Sequence, residues 1–220
     1  MEAIIFPGAA PIPSGKYIVI EGADGAGKTT QVEMLKDHLA DFGIVARVVR
    51  EPGGDPFAEQ LRASILDPSH EVTPLAQHFA FQAARTNLRE RVIMPLLQSG
   101  VWVLADRSEA STLVYQCYAG GLDTDIVWRD IDVVQRQSVA PDTYLMLDID
   151  ADVQAQRRPT LDEGRFELAG DDFRRQVIDG YRWVVQFLNA QHSAAHLLDG
   201  RKSQDDVHTA ICQHLQSMLP

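Results

Sequence analysis

The 220 residues include 45% hydrophobic and 23% charged side chains, ordinary values for a globular chain with one buried core or at most two small domains. A formal net charge of −11 opposes non-specific attraction to nucleic acid or to an anionic membrane, while leaving room for a local basic site that takes a small anion. No apolar run approaches the roughly 18 residues of a membrane helix; Cys117 and Cys212 form neither a disulfide framework nor a metal-type spacing, which fits a reducing cytoplasm.

Residues 1–15, MEAIIFPGAAPIPSG, lack a positive n-region and are broken by three prolines. They read as an extension before the domain rather than as a signal peptide. Strand-like runs follow at Tyr17–Glu21, Ile44–Val49, Val101–Ala105, Thr143–Asp148 and Ala195–Leu198. Between them, helical spacing covers Lys28–Phe42, with Val32, Leu35 and Leu39 on one face, then Ala76–Leu97 and Phe173–Asn189. Strands alternating with helices predict an α/β, three-layer architecture: a parallel sheet with both faces covered. No repeat, low-complexity tract or linker divides the chain, so residues 16–220 read as one domain.

The first strand runs into GADGAGKT, Gly22–Thr29, which satisfies G-x-x-x-x-G-K-[ST] between a strand and a helix. Glycines there let successive backbone N–H groups turn inward as an anion nest, and the following helix adds its unsatisfied N-terminal donors. The nucleotide-binding set is Gly22, Asp24, Gly25, Ala26, Gly27, Lys28, Thr29 and Thr30. Lys28 neutralises the outer phosphates, and Thr29 offers a hydroxyl to Mg2+. A second buried run, VWVLADRS, ends in Asp106-Arg107. Carboxyl ends of parallel strands face the binding crevice, so Asp106 is the second candidate Mg2+ partner; the alternative is an Asp–Arg pair that fixes a loop. The polar interval Gln156–Asp172 holds three arginines, a proline and two glycines. It is either a solvated connection or a lid that brings positive charge to an anion.

Four further segments occur in order: REPGGDPFAEQLR (50–62), FAFQAARTNL (79–88), DRSEASTLVYQ (106–116) and PDTYLMLDID (141–150). With the phosphate loop, they make the chain resemble the thymidylate kinase family from about Tyr17 to the C-terminus. The resemblance implies a P-loop NTPase fold of five parallel strands wrapped by helices, a homodimer, and transfer of the ATP γ-phosphoryl group to dTMP. It implies that Arg50 and Arg107 bind the acceptor monophosphate, where a guanidinium fork suits the chemistry. Arg85 matches the arginine that bonds the thymine carbonyl, and Phe81, one helical turn earlier, the aromatic residue that stacks on the base. Asp24 matches the carboxylate near the sugar 3′-hydroxyl, and Ser111, Tyr115 and Gln116 the segment lining base and sugar. Taken singly, Phe81 also fits a core position and Tyr115 a packing position. Arg89 and Arg91 fit a solvated helix face pairing with Glu90, and His192 and His196 lack a third ligand.

Family members place an extra catalytic arginine either in the phosphate loop, where this chain has Gly25, or in the lid. The expectation is therefore a lid arginine among Arg157, Arg158 and Arg165, with Arg158 first and Arg157 next. Arg201 or Lys202, after the last strand, either stack over the donor base or are solvated turn residues. Two departures from the family touch the acceptor side: Ser108, where Tyr or His is usual, and CYAGGLD at Cys117–Asp123. They keep open a kinase for another, or a 5-modified, deoxynucleoside monophosphate. From a different class, a P-loop switch that hydrolyses nucleotide to signal to a partner is also open. Under the kinase reading the partners are small nucleotides, with no nucleic acid and no membrane.

Overall fold

A computed structural model describes residues 15–157, 165, 166 and 169–219. Its centre is a five-stranded parallel sheet in the order β2-β3-β1-β4-β5, with β1 at Tyr17–Gly22, β2 at Ala46–Arg50, β3 at Trp102–Asp106, β4 at Thr143–Asp148 and β5 at Ala195–Asp199. Tyr17 to Ile20 are 0% exposed, as a strand covered on both faces requires. The edge strand β2 buries Val49 and leaves Arg47 and Arg50 exposed, and it begins two residues later than its apolar pattern predicts.

Helix α1 (Lys28–Asp41) packs on β1, β2 and β3 and against α9 (Gln204–Leu215). The second layer includes α8 (Asp171–Ala190), which packs on β4 and β5 and against a π-helical stretch at Leu113–Tyr118. Chain order reverses around β1, so the carboxyl ends of β1, β3 and β4 open on one crevice, where ligands bind in such sheets.

The predicted helix over Ala76–Leu97 is α3 (Pro74–Leu88), a π-helical turn at Arg89–Ile93, and α4 (Met94–Gln98). Pro95 has no N–H to return to the Arg91 carbonyl, and the chain widens there, with the Met94 amide bonding the Arg89 carbonyl five residues back. Helix α2 (Pro56–Leu66) carries signals that periodicity alone passes over. Asp55 caps it by accepting from the Phe57 and Ala58 amides at 2.9 and 3.1 Å, and Pro56 occupies its first turn. Among the described residues the remaining α-helices are α5 (Glu109–Thr112), α6 (Thr124–Gln137), whose cap is Asp123, and α7 (Ala151–Arg157).

One expectation is overturned. Arg89 is not on a solvated face: it is 0% exposed, ion-paired with the fully buried Glu109, and its guanidinium carbon stands 5.6 Å from the centroid of the Tyr17 ring. It lies four residues after Arg85 and so shares that residue's inward face. Arg91 is exposed, as expected.

Candidate nucleotide site

Between β1 and α1 the chain makes the tight loop that its glycines foretell. A Cβ on Gly22 would stand 2.6 Å from the Leu147 carbonyl oxygen of β4, and Gly27, which opens α1, has φ of 93°; neither position tolerates a side chain without strain. Within the loop the Ala26 amide bonds the Ala23 carbonyl at 3.1 Å, and Thr30 is exposed on the first turn of α1.

The Lys28 ammonium donates to the Ala23 carbonyl at 3.1 Å and lies 3.8 Å from Asp24 Oδ1. Burial chiefly, then the positive charge of Arg107, pushes Lys28 down to about 8, against the pull of Asp24, Asp106 and Glu21. The Thr29 hydroxyl donates to Asp106 Oδ2 at 2.8 Å. That leaves the Thr29 oxygen a lone pair beside a carboxylate, an all-oxygen donor set of the kind Mg2+ takes; Thr29 and Asp106 are the residues that fit it.

Arg107 follows β3 with φ of 75°, a left-handed backbone that costs a non-glycine residue of order 1–3 kcal/mol. The turn aims its guanidinium back over the phosphate loop. There Nη1 donates to the Gly22 carbonyl at 3.2 Å, Ser111 Oγ at 3.1 Å and the Tyr181 hydroxyl at 2.6 Å, and Nη2 donates to Asp24 at 2.5 Å. Glu21 backs the group from 3.9 Å. Its fully buried carboxylate accepts from the Ser108 and Ser111 amides at 2.7 and 3.1 Å and from the Ser111 and Tyr181 hydroxyls at 2.8 and 3.1 Å. Burial pushes Glu21 up, with Arg107 pulling the other way. For Arg107, burial works against the charge, and the oxygens of Tyr181, Tyr115, Asp24 and Glu21 outweigh it, so the group remains a cation.

Beside the loop lies a cavity of about 280 Å³ lined by Phe81, Arg85, Ser111, Tyr115 and Gln116, which the sequence names, together with Phe166. A wider cleft of about 600 Å³ over Lys28, Thr29 and Asp106 adjoins it; Asp24, Glu51, Arg62 and Arg107 line both. Phe81 and Arg85 are 7% and 4% exposed, so one helix face presents both a ring and a cation. Arg85 Nε donates to Glu51 Oε2 at 2.6 Å and Nη2 to Thr112 Oγ1 at 3.1 Å, with Gln82 on the remaining nitrogen. Gln116 is held through its amide nitrogen by Gln77 at 3.1 Å, and Tyr115 meets the Phe166 ring edge-on at 5.0 Å. Arg50 lines the wider cleft from an exposed position and donates to both carboxylate oxygens of Glu59 at 3.0 Å.

Of the two sequence departures, only Ser108 reaches the cavity. None of Cys117–Asp123, expected near the acceptor, lines the cavity: Cys117 and Tyr118 end the π-helical stretch and residues 119–123 lead into α6, with the Gly121 amide on the Cys117 carbonyl at 2.7 Å. Two buried oxygens on the cavity wall, Ser108 Oγ and Glu51 Oε1, have no hydrogen-bond partner among the described residues.

On the donor side, Arg157 closes the end of α7 over the loop rim, with Nη1 donating to the Gly200 carbonyl at 2.8 Å and to that of Gly25 at 3.4 Å. Arg201 forks onto Asp199 at 2.7 and 3.1 Å and is exposed, as a turn residue would be. Arg165 is occupied elsewhere, donating to the Ile65 and Asp67 carbonyls at 2.8 and 2.9 Å near the end of α2. Arg158 and most of the lid interval lie outside the described residues, as do residues 1–14.

Sequence reasoning missed Glu21, Glu51, Arg62, Thr112, Phe166 and Tyr181. Glu21 had a signal: a lone carboxylate closing an apolar strand needs buried donors. Tyr181 and Phe166 had none, because chain folding alone brings them to the site.

The Thymidylate kinase family model matches residues 20–211. A thymidylate kinase of Chlorobaculum parvum is 34% identical over 211 residues, covering 91% of this chain and 95% of its own. One from a Synechococcus species is 37% identical over 178 residues, covering 78% and 83%. The crystal structure of thymidylate kinase from Ehrlichia chaffeensis superposes with a TM-score of 0.71 at 26% identity, covering 93% of this chain and all of that one. With the phosphate loop, the strand order and the adjoining cavity already in place, the family match over most of the sequence decides the matter: the chain belongs to the thymidylate kinase family.

Proposed function

We propose that this protein transfers the γ-phosphoryl group of ATP to dTMP, giving dTDP and ADP. The observation that carries the reading is Arg107: one guanidinium, held by five oxygen-bearing groups, lies in the wall shared by the donor cleft and the acceptor cavity. A switch NTPase has no use for a second, ring-and-cation-lined cavity at that point.

The work of the protein is positioning and charge. Loop amides and Lys28 hold the donor phosphates. Arg107 and Arg50 align the acceptor phosphate for in-line attack, and the Glu21–Ser111–Tyr181 network fixes Arg107. Phe81 stacks on the base, Arg85 donates to its carbonyl edge, and Asp24 accepts from the sugar hydroxyl. Thr29 and Asp106 would hold Mg2+, which would supply charge neutralisation to the donor phosphates. A monoester phosphate has its second pKa near about 6, so the attacking oxygen is already mostly deprotonated and no strong general base is needed. From the lid, Arg158 is the first candidate to meet the migrating group and Arg157, already at the loop rim, the second.

The reading extends to a kinase domain over residues 16–220, an extension at 1–15, a lid near 156–172 and a cytoplasmic homodimer. Dimerisation is supported by large apolar side chains left exposed on two neighbouring helices, Leu75 and Phe79 on α3 and Ile126 and Val133 on α6; sedimentation velocity tests it. No described helix is long and apolar enough to cross a membrane.

A second acceptor reading has its own support in Ser108, whose small side chain stands on the cavity wall with its hydroxyl unpartnered among the described residues. Measuring kcat/KM across dTMP, dUMP, 5-hydroxymethyl-dUMP, dCMP and dGMP decides between them. Preference for dTMP is expected, preference for another base or 5-substituent installs the second reading, and no nucleoside diphosphate from any of them overturns both.

A further inference from the structure

We propose that the protein carries a second, soft-metal site, of Zn2+ type, made by His38 of α1 with His208 and Cys212 of α9. One imidazole nitrogen from each histidine and the Cys212 sulfur all lie within 4.8 Å of one another. Cys212 Sγ and His208 Nε2 are 3.4 Å apart. A tetrahedral zinc ion with bonds of about 2.3 Å to sulfur and about 2.05 Å to nitrogen sets those atoms about 3.6 Å apart, so this pair already stands at ligand spacing. His208 and Cys212 are one helical turn apart and share a face, and the His38 ring meets the His208 ring edge-on at 5.5 Å.

The imidazoles are not consumed by stronger partners. His208 Nδ1 is buried with no hydrogen-bond partner among the described residues, and its other nitrogen contacts the Cys212 thiol. All three side chains are half-buried, shielded from bulk water yet reachable by an ion. The donor set is two nitrogens and one sulfur. That chemistry selects Zn2+ over the hard cations Mg2+ and Ca2+, so millimolar Mg2+ serving the phosphate loop does not compete here. Cys212 ligates as thiolate, its proton passing to solvent on binding. Three protein ligands leave the fourth position to water.

The position gives the site a consequence. Helix α1 begins in the phosphate loop, and α9 begins just beyond the loop on the donor side of the sheet. At that end the two are tied by Gln31 Nε2 donating to the Gln204 carbonyl at 2.8 Å. The metal would tie them again near the far end of α1, clamping the helix that carries Lys28 and Thr29 to the one that closes the donor side. Sequence spacing could not show this, because the third ligand comes from the opposite end of the chain.

The test uses the tag-free full chain, reduced and stripped of metal, titrated with Co2+ as a spectroscopic probe and then with Zn2+ in excess Mg2+. The expected result is one Co2+ per chain with a thiolate-to-cobalt charge-transfer band and tetrahedral visible bands, displaced by one equivalent of Zn2+, and a higher melting temperature with Zn2+. Cys212→Ser should abolish the charge-transfer band. His38→Gln and Cys212→Ser should each weaken Zn2+ by more than the roughly 10- to 100-fold that loss of a merely supporting group costs. Kinase activity of metal-free Cys212→Ser in Mg2+ should match that of the metal-free parent. Absence of stoichiometric binding by the parent chain, or a thiolate band that survives in Cys212→Ser, overturns the proposal. Because the parent titration is decisive alone, a variant that folds poorly does not rescue the idea.

Discussion

The donor loop and the acceptor cavity share a wall but are built from different materials. The loop is backbone: amides, glycines and one lysine within a single turn of chain. The cavity is side chains from the ends of β1, β2 and β3, from α3 and from the π-helical stretch, locked by ion pairs such as Arg85–Glu51 and Arg107–Asp24. A site of the first kind depends on local conformation and carries a local signature. A site of the second kind depends on the whole sheet being assembled, and any one of its residues is ambiguous until its partners are placed. Arg107 is where the two meet, so removing it is the sharpest way to break the contrast. Arg107→Ala should lower kcat/KM for phosphoryl transfer by about 10³-fold or more, and Arg107→Lys by about 10²-fold, because an ammonium has no fork to span both sides. A loss under tenfold in a variant that melts normally would mean that the two halves do not depend on one cation.

The cavity's foundation is the next place to press. Glu109 is fully buried among Arg89, Arg85, Gln135 and the Tyr144 hydroxyl, the last at 2.6 Å. Burial pushes its carboxyl up, and the two guanidiniums outweigh that and hold it down at about 2. Arg89→Ala leaves an uncompensated buried charge and should cost about 3–5 kcal/mol, read as a fall in the urea midpoint. The pH dependence has a definite sign. Because the folded value is depressed below an unfolded one of about 4.3, the contribution of Glu109 to stability is full above that value and disappears as pH falls through about 2. In Arg89→Ala the acid-unfolding midpoint should move to higher pH. An unchanged midpoint would show that Glu109 is not what the cavity floor rests on.

What the sequence disclosed follows the same division. Four strands lie within two residues of their predicted ends and the fifth, β4, matches both, because a parallel sheet buried on both faces writes itself as apolar runs. Lys28, Thr29 and Asp106 border one cleft, and Phe81 and Arg85 line the adjoining cavity from one helix face; such groupings are legible because each rests on a spacing within one element. Arg89 was misread although its spacing from Arg85 carried the answer: a charge on an inward face implies a buried partner, and Glu109 is far away in sequence. Phe166 and Tyr181 were invisible because their roles are set by packing across elements. Ser108 was visible only as an anomaly.

A milder perturbation separates donor from acceptor by pH. Lys28, pushed down to about 8 by burial and by Arg107, must be a cation to hold the outer phosphates. Above about pH 8, kcat/KM for ATP should therefore fall tenfold per unit, since that parameter reports the free enzyme. The fall in kcat should come later, because bound phosphates retain the ammonium proton. Stability should respond in the opposite sense. Between about 8 and the unfolded value near 10.4, the unfolded chain binds the extra proton, so this group makes the fold more stable as pH rises. If kcat/KM for ATP is flat to pH 9.5, the lysine is not titrating in the free site.

The smallest effect asks whether the acceptor cavity was shaped for dTMP or for something larger. The Ser108 hydroxyl is buried at 1% exposure, on the wall, without a partner among the described residues. Leaving such a group unbonded costs about 1–3 kcal/mol, and deleting it can be neutral or stabilising. Ser108→Ala should therefore leave the melting temperature unchanged or slightly raised. If dTMP is the substrate and makes no use of the hydroxyl, kcat/KM should stay within about threefold. A hydroxyl that bonds the substrate gives a different pattern: more than about tenfold lost for the acceptor it bonds, with other acceptors unaffected. Run across the same set of monophosphates, the variant thus identifies which substituent, if any, reaches the β3 end of the cavity. A uniform loss for every acceptor would instead make the Ser108 side chain a support for the neighbouring Arg107, whatever substituent the acceptor carries.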